Sequence, residues 1–234
     1  MSFAVRVLLT TTPEQQVRLE ALQSAFAQVC NVLAPMVQQT RVWNRVALHH
    51  MAYKGLREGF PALGSQMVCN AIYSVSRASR LIFQTPGSPF HVSRLAGRPL
   101  PLLRFTDSCP VYFDRHTLSL KQGEASMFTL DGRMKFQLAL SPHQEAAFHT
   151  QKLQEILLQR VGTQFELAFQ FGPSAAAAED DTARAALPGL AQVSEAALEG
   201  VSPATPEATW AGAVPVRPAP ALMFPAYLKV EDPA

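Results

Sequence analysis

The sequence contains little cysteine, and none of it is arranged as a site. Its three cysteines, Cys30, Cys69 and Cys109, are far apart and odd in number. A disulfide framework needs cysteines that can pair, and a structural zinc site needs closely spaced thiols such as a CxxC pair. Both are therefore excluded, and we expect three buried thiols.

Long apolar runs are also missing. No stretch approaches the roughly 18 consecutive apolar residues that a membrane-spanning helix needs, and the N-terminus lacks the basic start and apolar middle of a secretory signal. These absences predict a cytoplasmic protein with no membrane partner. The sequence also lacks a Walker loop, a GxGxxG fingerprint and a nucleophile elbow, so we expect no cofactor.

Charge is distributed unevenly along the chain. Residues 1–172 hold 17 Lys and Arg against 10 Asp and Glu, whereas residues 173–234 hold 3 against 8. The first part carries a net charge of +7 and the second −5. A basic globular unit raises the local concentration of polyanions. Arginine outnumbers lysine in that unit, and its planar guanidinium makes the bidentate contacts with phosphates and base edges that an ammonium cannot make.

The sequence of the first third of the chain predicts one strand followed by helices. Residues 3–9 are β-branched and apolar, which favours a strand. Thr12, Pro13 and Gln15 form a helix start with a capping box. Pro35 predicts the kink or end of this helix, and a second helix is predicted over about 36–53, before the breakers Gly55, Gly59 and Pro61.

The third predicted helix, about 64–83, has two faces. Val68, Ile72, Val75, Ser79 and Ile82 form an apolar inner face. A second stripe on the opposite side consists of hydrogen-bonding side chains, Gln66, Asn70, Tyr73, Arg77 and Arg80. Such a stripe is most often an ordinary solvated face. Its amide, phenol and guanidinium groups also suit contact with bases and phosphates, and both readings stay open.

The remainder reads as short strands and a polar tail. After a Pro- and Gly-rich loop at 84–101, the apolar period becomes two, which indicates antiparallel strands in a small barrel or sandwich. A helix is predicted at 142–150 and a hairpin around Gly162-Thr163. Residues 173–234 hold 9 of the 18 prolines and no sustained period, so we expect disorder there. Within that tail, the apolar segment 221–228 is either a docking motif or an inert patch.

The order of these elements resembles a known family. The chain shows an opening strand, a Thr-Pro-x-x-Gln helix start and a helix through Cys30-Asn31. A helix ending in Arg80-Leu-Ile-Phe83 follows, and then a β-rich block with Arg104-Phe-Thr. Residues 11–171 are similar in this order to the N-terminal half of TnpB-type proteins, the transposon-encoded RNA-guided nucleases related to type V CRISPR effectors.

The resemblance implies an α+β fold in three parts. Residues 1–10 and 100–172 would form a small antiparallel, wedge-like β-barrel. Residues 11–99 would be an inserted three-helix recognition lobe with a basic loop, and residues 173–234 a disordered tail. In the family, these units hold a guide RNA scaffold and read a short duplex DNA motif beside the target.

Two sets of site residues are expected, and the resemblance implies the first of them. Those expected at the DNA motif are Gln66, Asn70, Tyr73, Arg77, Arg80 and Thr106. Those expected at the RNA are Arg6, Arg41, Arg45, His49, Lys54, Arg94, Arg98 and Arg104. Spacings of four would place Arg41, Arg45 and His49 on one helix face, which an ordinary solvated stripe explains equally well.

Two departures from the family bear on function. The arginine usual before the family's Tyr-Asn pair is replaced in Ala27-Gln28-Val29-Cys30-Asn31, so sequence preference does not transfer. The RNase H-like nuclease domain and zinc ribbon are missing, and Glu179, Asp180 and Asp181 lie on a polar linker that cannot fix a metal site. His49-His50 has no acid or Cys one turn away to complete a metal site.

The sequence therefore predicts a non-enzymatic protein that binds guide-type RNA and a duplex DNA motif and acts by occupancy or recruitment. Two alternatives stay open. In the first, the chain is a non-catalytic subunit that partners a separate nuclease or effector. In the second, it is a degenerate transposase remnant.

Overall fold

The computed structural model describes residues 3–172 and 224–232. These ranges contain four helices, which are α1 (Pro13–Thr40), α2 (Arg45–Gly59), α3 (Ser65–Phe83) and α4 (Pro142–Thr150). They also contain nine strands, which are β1 (Phe3–Leu8), β2 (Leu102–Phe105), β3 (Val111–Phe113), β4 (Leu118–Lys121), β5 (Glu124–Thr129), β6 (Gly132–Gln137), β7 (Leu153–Val161), β8 (Gln164–Phe171) and β9 (Leu228–Glu231). The predicted α+β class is confirmed.

The strands pair in three antiparallel sheets, with the orders β1-β8-β7-β3, β4-β5-β6 and β2-β9. Within the described residues the hydrogen-bonded ladders do not close into a barrel. β1 pairs with β8 along its whole length, from Phe3 opposite Phe171 to Leu8 opposite Glu166. Because β1 comes before the first three helices and β8 after them, those helices are an excursion of the chain between two paired strands.

Helix α1 starts as its sequence predicts and ends later. The Thr12 side chain accepts from the Gln15 backbone N–H at 3.2 Å, and Gln15 Oε1 accepts from the Thr12 N–H at 3.0 Å. The helix then continues through Pro35, where a prolyl residue removes one backbone hydrogen bond. Leu33 and Val37 are buried on either side of it. Packing therefore sustains the helix as far as Thr40, and the expected second helix from about 36 is wrong.

Helix α2 consequently lies further along the chain than predicted. Asn44 caps it, because its Oδ1 accepts from the Val46 and Ala47 N–H groups at 2.9 and 3.2 Å. Leu48, Ala52 and Leu56 repeat at a spacing of four and are buried. This apolar face carries the helix past the exposed Gly55, which costs only about 1 kcal/mol relative to alanine.

The C-terminal segment corrects the prediction of a disordered tail. Residues 224–232 lie against the folded body, and β9 pairs with β2 over four residues of each strand. Leu228 is buried, and the Phe224 ring lies 5.9 Å from the Phe90 ring. Hydrogen bonds along a strand edge and the apolar side chains of Phe224 and Leu228 therefore order this part of the tail. The rest of it, residues 173–223, lies outside the described residues.

Strand β2 is held on its other side by a helix side chain. Asn31 of α1 donates from Nδ2 to the Phe105 carbonyl at 2.8 Å and accepts from the Phe105 N–H at 2.8 Å. A primary amide can replace a neighbouring strand in this way, because it offers one donor and one acceptor side by side. β2 therefore lies between Asn31 and β9.

None of the described helices is long and apolar enough to cross a membrane.

We predict that Asn31→Ala lowers the free energy of unfolding by about 1–3 kcal/mol, because it leaves the backbone groups of Phe105 without partners. Urea unfolding at neutral pH measures the change. Gln39→Ala, an exposed amide on the same helix, is the control and is expected to alter stability by less than about 0.5 kcal/mol. Equal losses in both variants would contradict the role assigned to Asn31.

Candidate nucleic-acid interface

The polar stripe of α3 faces the sheet that contains β3 and β7. Asn70 is only 6% exposed, and its Nδ2 donates to the Tyr112 carbonyl at 3.0 Å. Gln66 Nε2 donates to Asp114 Oδ2 at 2.5 Å, just beyond the end of β3. These two amides join the helix to the strand and are already hydrogen-bonded. In this arrangement Asn70 cannot reach a base edge.

The next turn of the stripe meets the carboxylate of Glu155 on β7. Glu155 Oε1 accepts from the Tyr73 hydroxyl and pairs with the Arg77 guanidinium. Burial, followed by the bond to Glu155, raises the pKa of Tyr73 above its usual value. Burial alone would lower the pKa of Arg77, but Tyr112, Glu155 and Tyr73 raise it overall. The guanidinium is therefore charged and the phenol neutral at physiological pH.

A solvated face and a nucleic-acid contact both need accessible side chains, and the burial of Asn70 contradicts that requirement for a topological reason. α3 packs between the other two helices on one side and β3 on the other, so both its faces are covered over most of its length. Arg80 is the exception. It is partly exposed, and its guanidinium has no hydrogen-bond or carboxylate partner within residues 3–172 and 224–232. Arg77 keeps half of its side chain accessible.

Thr106, the remaining residue predicted at the DNA motif, belongs to the junction of β2 with the C-terminal segment. Its backbone N–H donates to the Tyr227 carbonyl at 2.9 Å, and its hydroxyl lies 3.3 Å from the same oxygen. The hydroxyl also lies 2.8 Å from that of Ser108. Burial raises the pKa of Tyr227 to about 12, so its phenol is neutral at this junction.

Three of the arginines predicted at the RNA bond carbonyls of the loop 84–101, which contacts the end of α1. Arg41 ends the helix in the left-handed conformation, with φ 56°, and its guanidinium donates to the carbonyls of Gly97 and Arg98. Arg94 donates to the Pro86 carbonyl at 3.1 Å, and Arg98 to the Leu95 carbonyl at 3.4 Å. A guanidinium has five N–H donors, so each keeps donors for an external ligand. All three side chains are exposed.

Helix α2 begins beside this cluster. Arg45 lies over the Tyr73 ring, 5.3 Å from its centroid, and remains exposed. The His49 ring stacks on Tyr53 at 4.6 Å, and Lys54 is exposed. Arg41 belongs to the end of α1 rather than to α2, so the prediction that one helix face carries it together with Arg45 and His49 is wrong.

The other two cations predicted at the RNA already have carboxylate partners. Arg6 pairs with Glu166 on the neighbouring strand β8 at 3.4 Å, and Arg104 pairs with Glu231 of β9 at 3.1 Å. Both arginines are about half exposed. Glu166 is nearly buried, whereas both members of the Arg104–Glu231 pair are exposed. An exposed pair contributes about 0–1 kcal/mol, so a polyanion can compete for Arg104.

Charge compensation differs sharply between the helical and strand-rich parts. Residues 21–106 contain nine Lys and Arg and a single acid, Glu58. Between residues 41 and 98, Arg77 is the one cation with a carboxylate within 4.0 Å among the described residues. The remaining cations there are Arg41, Arg45, Lys54, Arg57, Arg80, Arg94 and Arg98.

Five of these seven cations lie at one end of the helical part. α1 ends at Thr40 and α2 begins at Arg45, while Trp43 between them packs on Phe83 at the end of α3, with ring centroids 5.6 Å apart. The Val92 N–H bonds the Phe83 carbonyl, which brings the basic loop to the same place. We call Arg41, Arg45, Arg80, Arg94 and Arg98 the basic end.

Glu155 and Tyr227 are the contributors that sequence reasoning missed. Glu155 is one acid in a strand pattern, and only the tertiary pairing of α3 with β7 reveals its contact with Arg77. Tyr227 lies in the tail predicted to be disordered. The apolar run at 221–228 was the one signal for its docking.

Within residues 3–172 and 224–232, no group of three or more His, Cys, Asp or Glu side chains is placed to hold a metal ion. Glu179, Asp180 and Asp181 lie outside the described residues. No protein-family model matches the chain, and no curated protein matches it.

We predict that Asn70→Ala destabilises the fold by about 1–3 kcal/mol, since it leaves the buried Tyr112 carbonyl without its partner. Arg80→Ala should alter stability by less than about 0.5 kcal/mol, because its guanidinium is partly exposed and bonded to nothing described. Urea unfolding of the two variants gives the comparison. Both substitutions lie on α3, ten residues apart. An Asn70 variant as stable as wild type would show that the stripe is not anchored as described.

Proposed function

We propose that this chain is a non-catalytic nucleic-acid-binding protein whose basic end holds a structured, guide-type RNA. Its helices inserted between paired strands would correspond to the recognition lobe of TnpB-type proteins, and its strand-rich part to their wedge. In this proposal the chain acts by occupying its target or by recruiting another protein. Cleavage is not among its activities.

The observation that carries the proposal is the uncompensated charge of the basic end. Five cations from two helix ends, one helix start and one loop lie there, and none of them has a described carboxylate within 4.0 Å. Four of the five are exposed, and Arg80 is partly so. A polyanion would supply the missing negative charge, and release of its counterions would drive binding.

The backbone bonds of the basic end also favour a fixed ligand geometry. Arg41, Arg94 and Arg98 are each tied to loop carbonyls, so their guanidinium groups are held before any ligand arrives. Pre-ordering reduces the conformational entropy lost on binding. A folded RNA backbone, with phosphates at fixed spacings, fits such a surface better than a flexible single strand.

Support for the duplex DNA motif is narrower. Gln66 and Asn70 are bonded to the β3 region, and Tyr73 to Glu155. Arg77 and Arg80 are the stripe members with accessible guanidinium groups. In our proposal these two arginines contact the DNA backbone or a base edge, while the rest of the stripe orients them.

The first experiment purifies the full chain from its native host and sequences any nucleic acid that comes with it. We expect a discrete RNA species in stoichiometric amount. A stoichiometric protein without nucleic acid would instead support the role of a subunit that partners a separate effector, and a sample that cleaves a strand when given magnesium would contradict the non-catalytic assignment.

The second experiment tests the basic end directly. We predict that Arg94→Gln combined with Arg98→Gln weakens binding of a labelled RNA hairpin about 5- to 30-fold and reduces the salt slope by about 1–2, because two phosphate contacts are lost. Fluorescence anisotropy gives both quantities.

The matched control is Lys121→Gln combined with Lys152→Gln, which removes the same charge from exposed positions on the strand-rich part. We expect at most a twofold to threefold effect there, from long-range attraction alone. Equal losses in the two double variants would show that net charge, and not the basic end, governs binding.

A further inference from the structure

The C-terminal segment docks on an edge of β2 that would otherwise be open. β9 pairs antiparallel with β2, with Arg104 opposite Lys229 and Phe105 opposite Leu228, and the Thr106 N–H continues the ladder to the Tyr227 carbonyl. Within the described residues, β9 is the one strand that pairs with β2. The contact is thus the addition of a strand to a sheet edge, a common mode of peptide recognition.

The acidic end of this segment lies at cations of the proposed RNA surface. Glu231 Oε2 accepts from Arg104 Nε at 3.1 Å. Asp232 lines a cleft of about 490 Å³ together with Arg98 and Phe90. Arg98 belongs to the basic end, and Arg104 was predicted at the RNA. Glu231 is thus paired with Arg104, and Asp232 borders the same cleft as Arg98 without an ion pair within 4.0 Å among the described residues.

The docked segment is held by few interactions. β9 is four residues long, and the exposed Arg104–Glu231 pair contributes about 0–1 kcal/mol. Its apolar anchorage consists of Leu228, the partly buried Tyr227 and Val230, and Phe224 against Phe90. An element with so small a buried surface opens more readily than the core beneath it.

We propose that the outer edge of β2 and the adjoining cleft form a binding site for an extended, acid-ended strand, which residues 224–232 fill as an autoinhibitory strap. The docked strap places negative charge at Arg98 and Arg104 and weakens polyanion binding. A bound polyanion in turn favours release of the strap, because coupling between two binding events is reciprocal. This inference rests on the proposed function and adds its regulation.

A reversible lock tests the strap in the full chain. Leu103 and Val230 face each other as a non-hydrogen-bonded pair, the closer type of antiparallel pair, within the Cα range of a disulfide. We predict that the oxidised Leu103→Cys, Val230→Cys double variant binds an RNA hairpin about 5-fold more weakly than the same protein after reduction, since the lock removes the open state. Wild type and Val230→Cys alone, each with and without reductant, control for the native thiols.

Charge removal provides the opposite change. We predict that Glu231→Gln combined with Asp232→Asn binds the hairpin about three- to fivefold more tightly than wild type, because the competing carboxylates are gone while the strand remains. Glu14→Gln combined with Glu145→Gln makes the same change of net charge at exposed positions in the first turns of α1 and α4. This control should bind within about twofold of wild type.

The outcomes separate this inference from the function on which it rests. Wild type that binds RNA, with no difference between oxidised and reduced lock and none between the two charge variants, would overturn the strap and leave the function standing. Loss of RNA binding by every variant and by wild type at low salt would overturn both.

Discussion

A buried hydrogen bond from Asn70 of α3 to the Tyr112 carbonyl of β3 fixes the helical part of the molecule against its strands. One turn further on, Glu155 receives both Tyr73 and Arg77. These polar contacts need to be made together, because a buried amide or carboxylate left without a partner is costly. This polar junction helps to orient α3, and with it Arg80 near the end of the helix and Arg45, which lies over the Tyr73 ring.

The junction also determines where positive charge stays uncompensated. Arg77 pairs with Glu155 of β7, whereas no described carboxylate lies within 4.0 Å of the other cations of the basic end. The arginines of β1, β2 and β7 each have a carboxylate within 4.0 Å, as Arg6 has in Glu166. The basic end gains negative charge from only two directions in this account. One is an external polyanion, and the other is the acidic end of the C-terminal strap.

Local signals in the sequence predicted the helices, strands and turns better than the contacts that these elements make with one another. The capping box at Thr12 and the hairpin around Gly162 lie where expected, because caps and tight turns depend on residues close in sequence. Periodicity divided α3 into two faces, but it could not reveal that strands cover the face containing Asn70. Pro35 gave a misleading stop signal, since tertiary packing outweighs one lost hydrogen bond. β9 was not predicted because its four residues lie in a proline-rich tail and form a strand only by pairing with the edge of β2.

The central claim is that external polyanions bind mainly by compensating the basic end. The most direct test is the affinity of the full chain for a structured RNA, measured by anisotropy as the salt concentration rises from about 50 to about 200 mM. The account predicts a linear fall of log K with log salt, with a slope of about −3 to −4 if the five cations mostly contact phosphates. An affinity that stays unchanged over this range would contradict it.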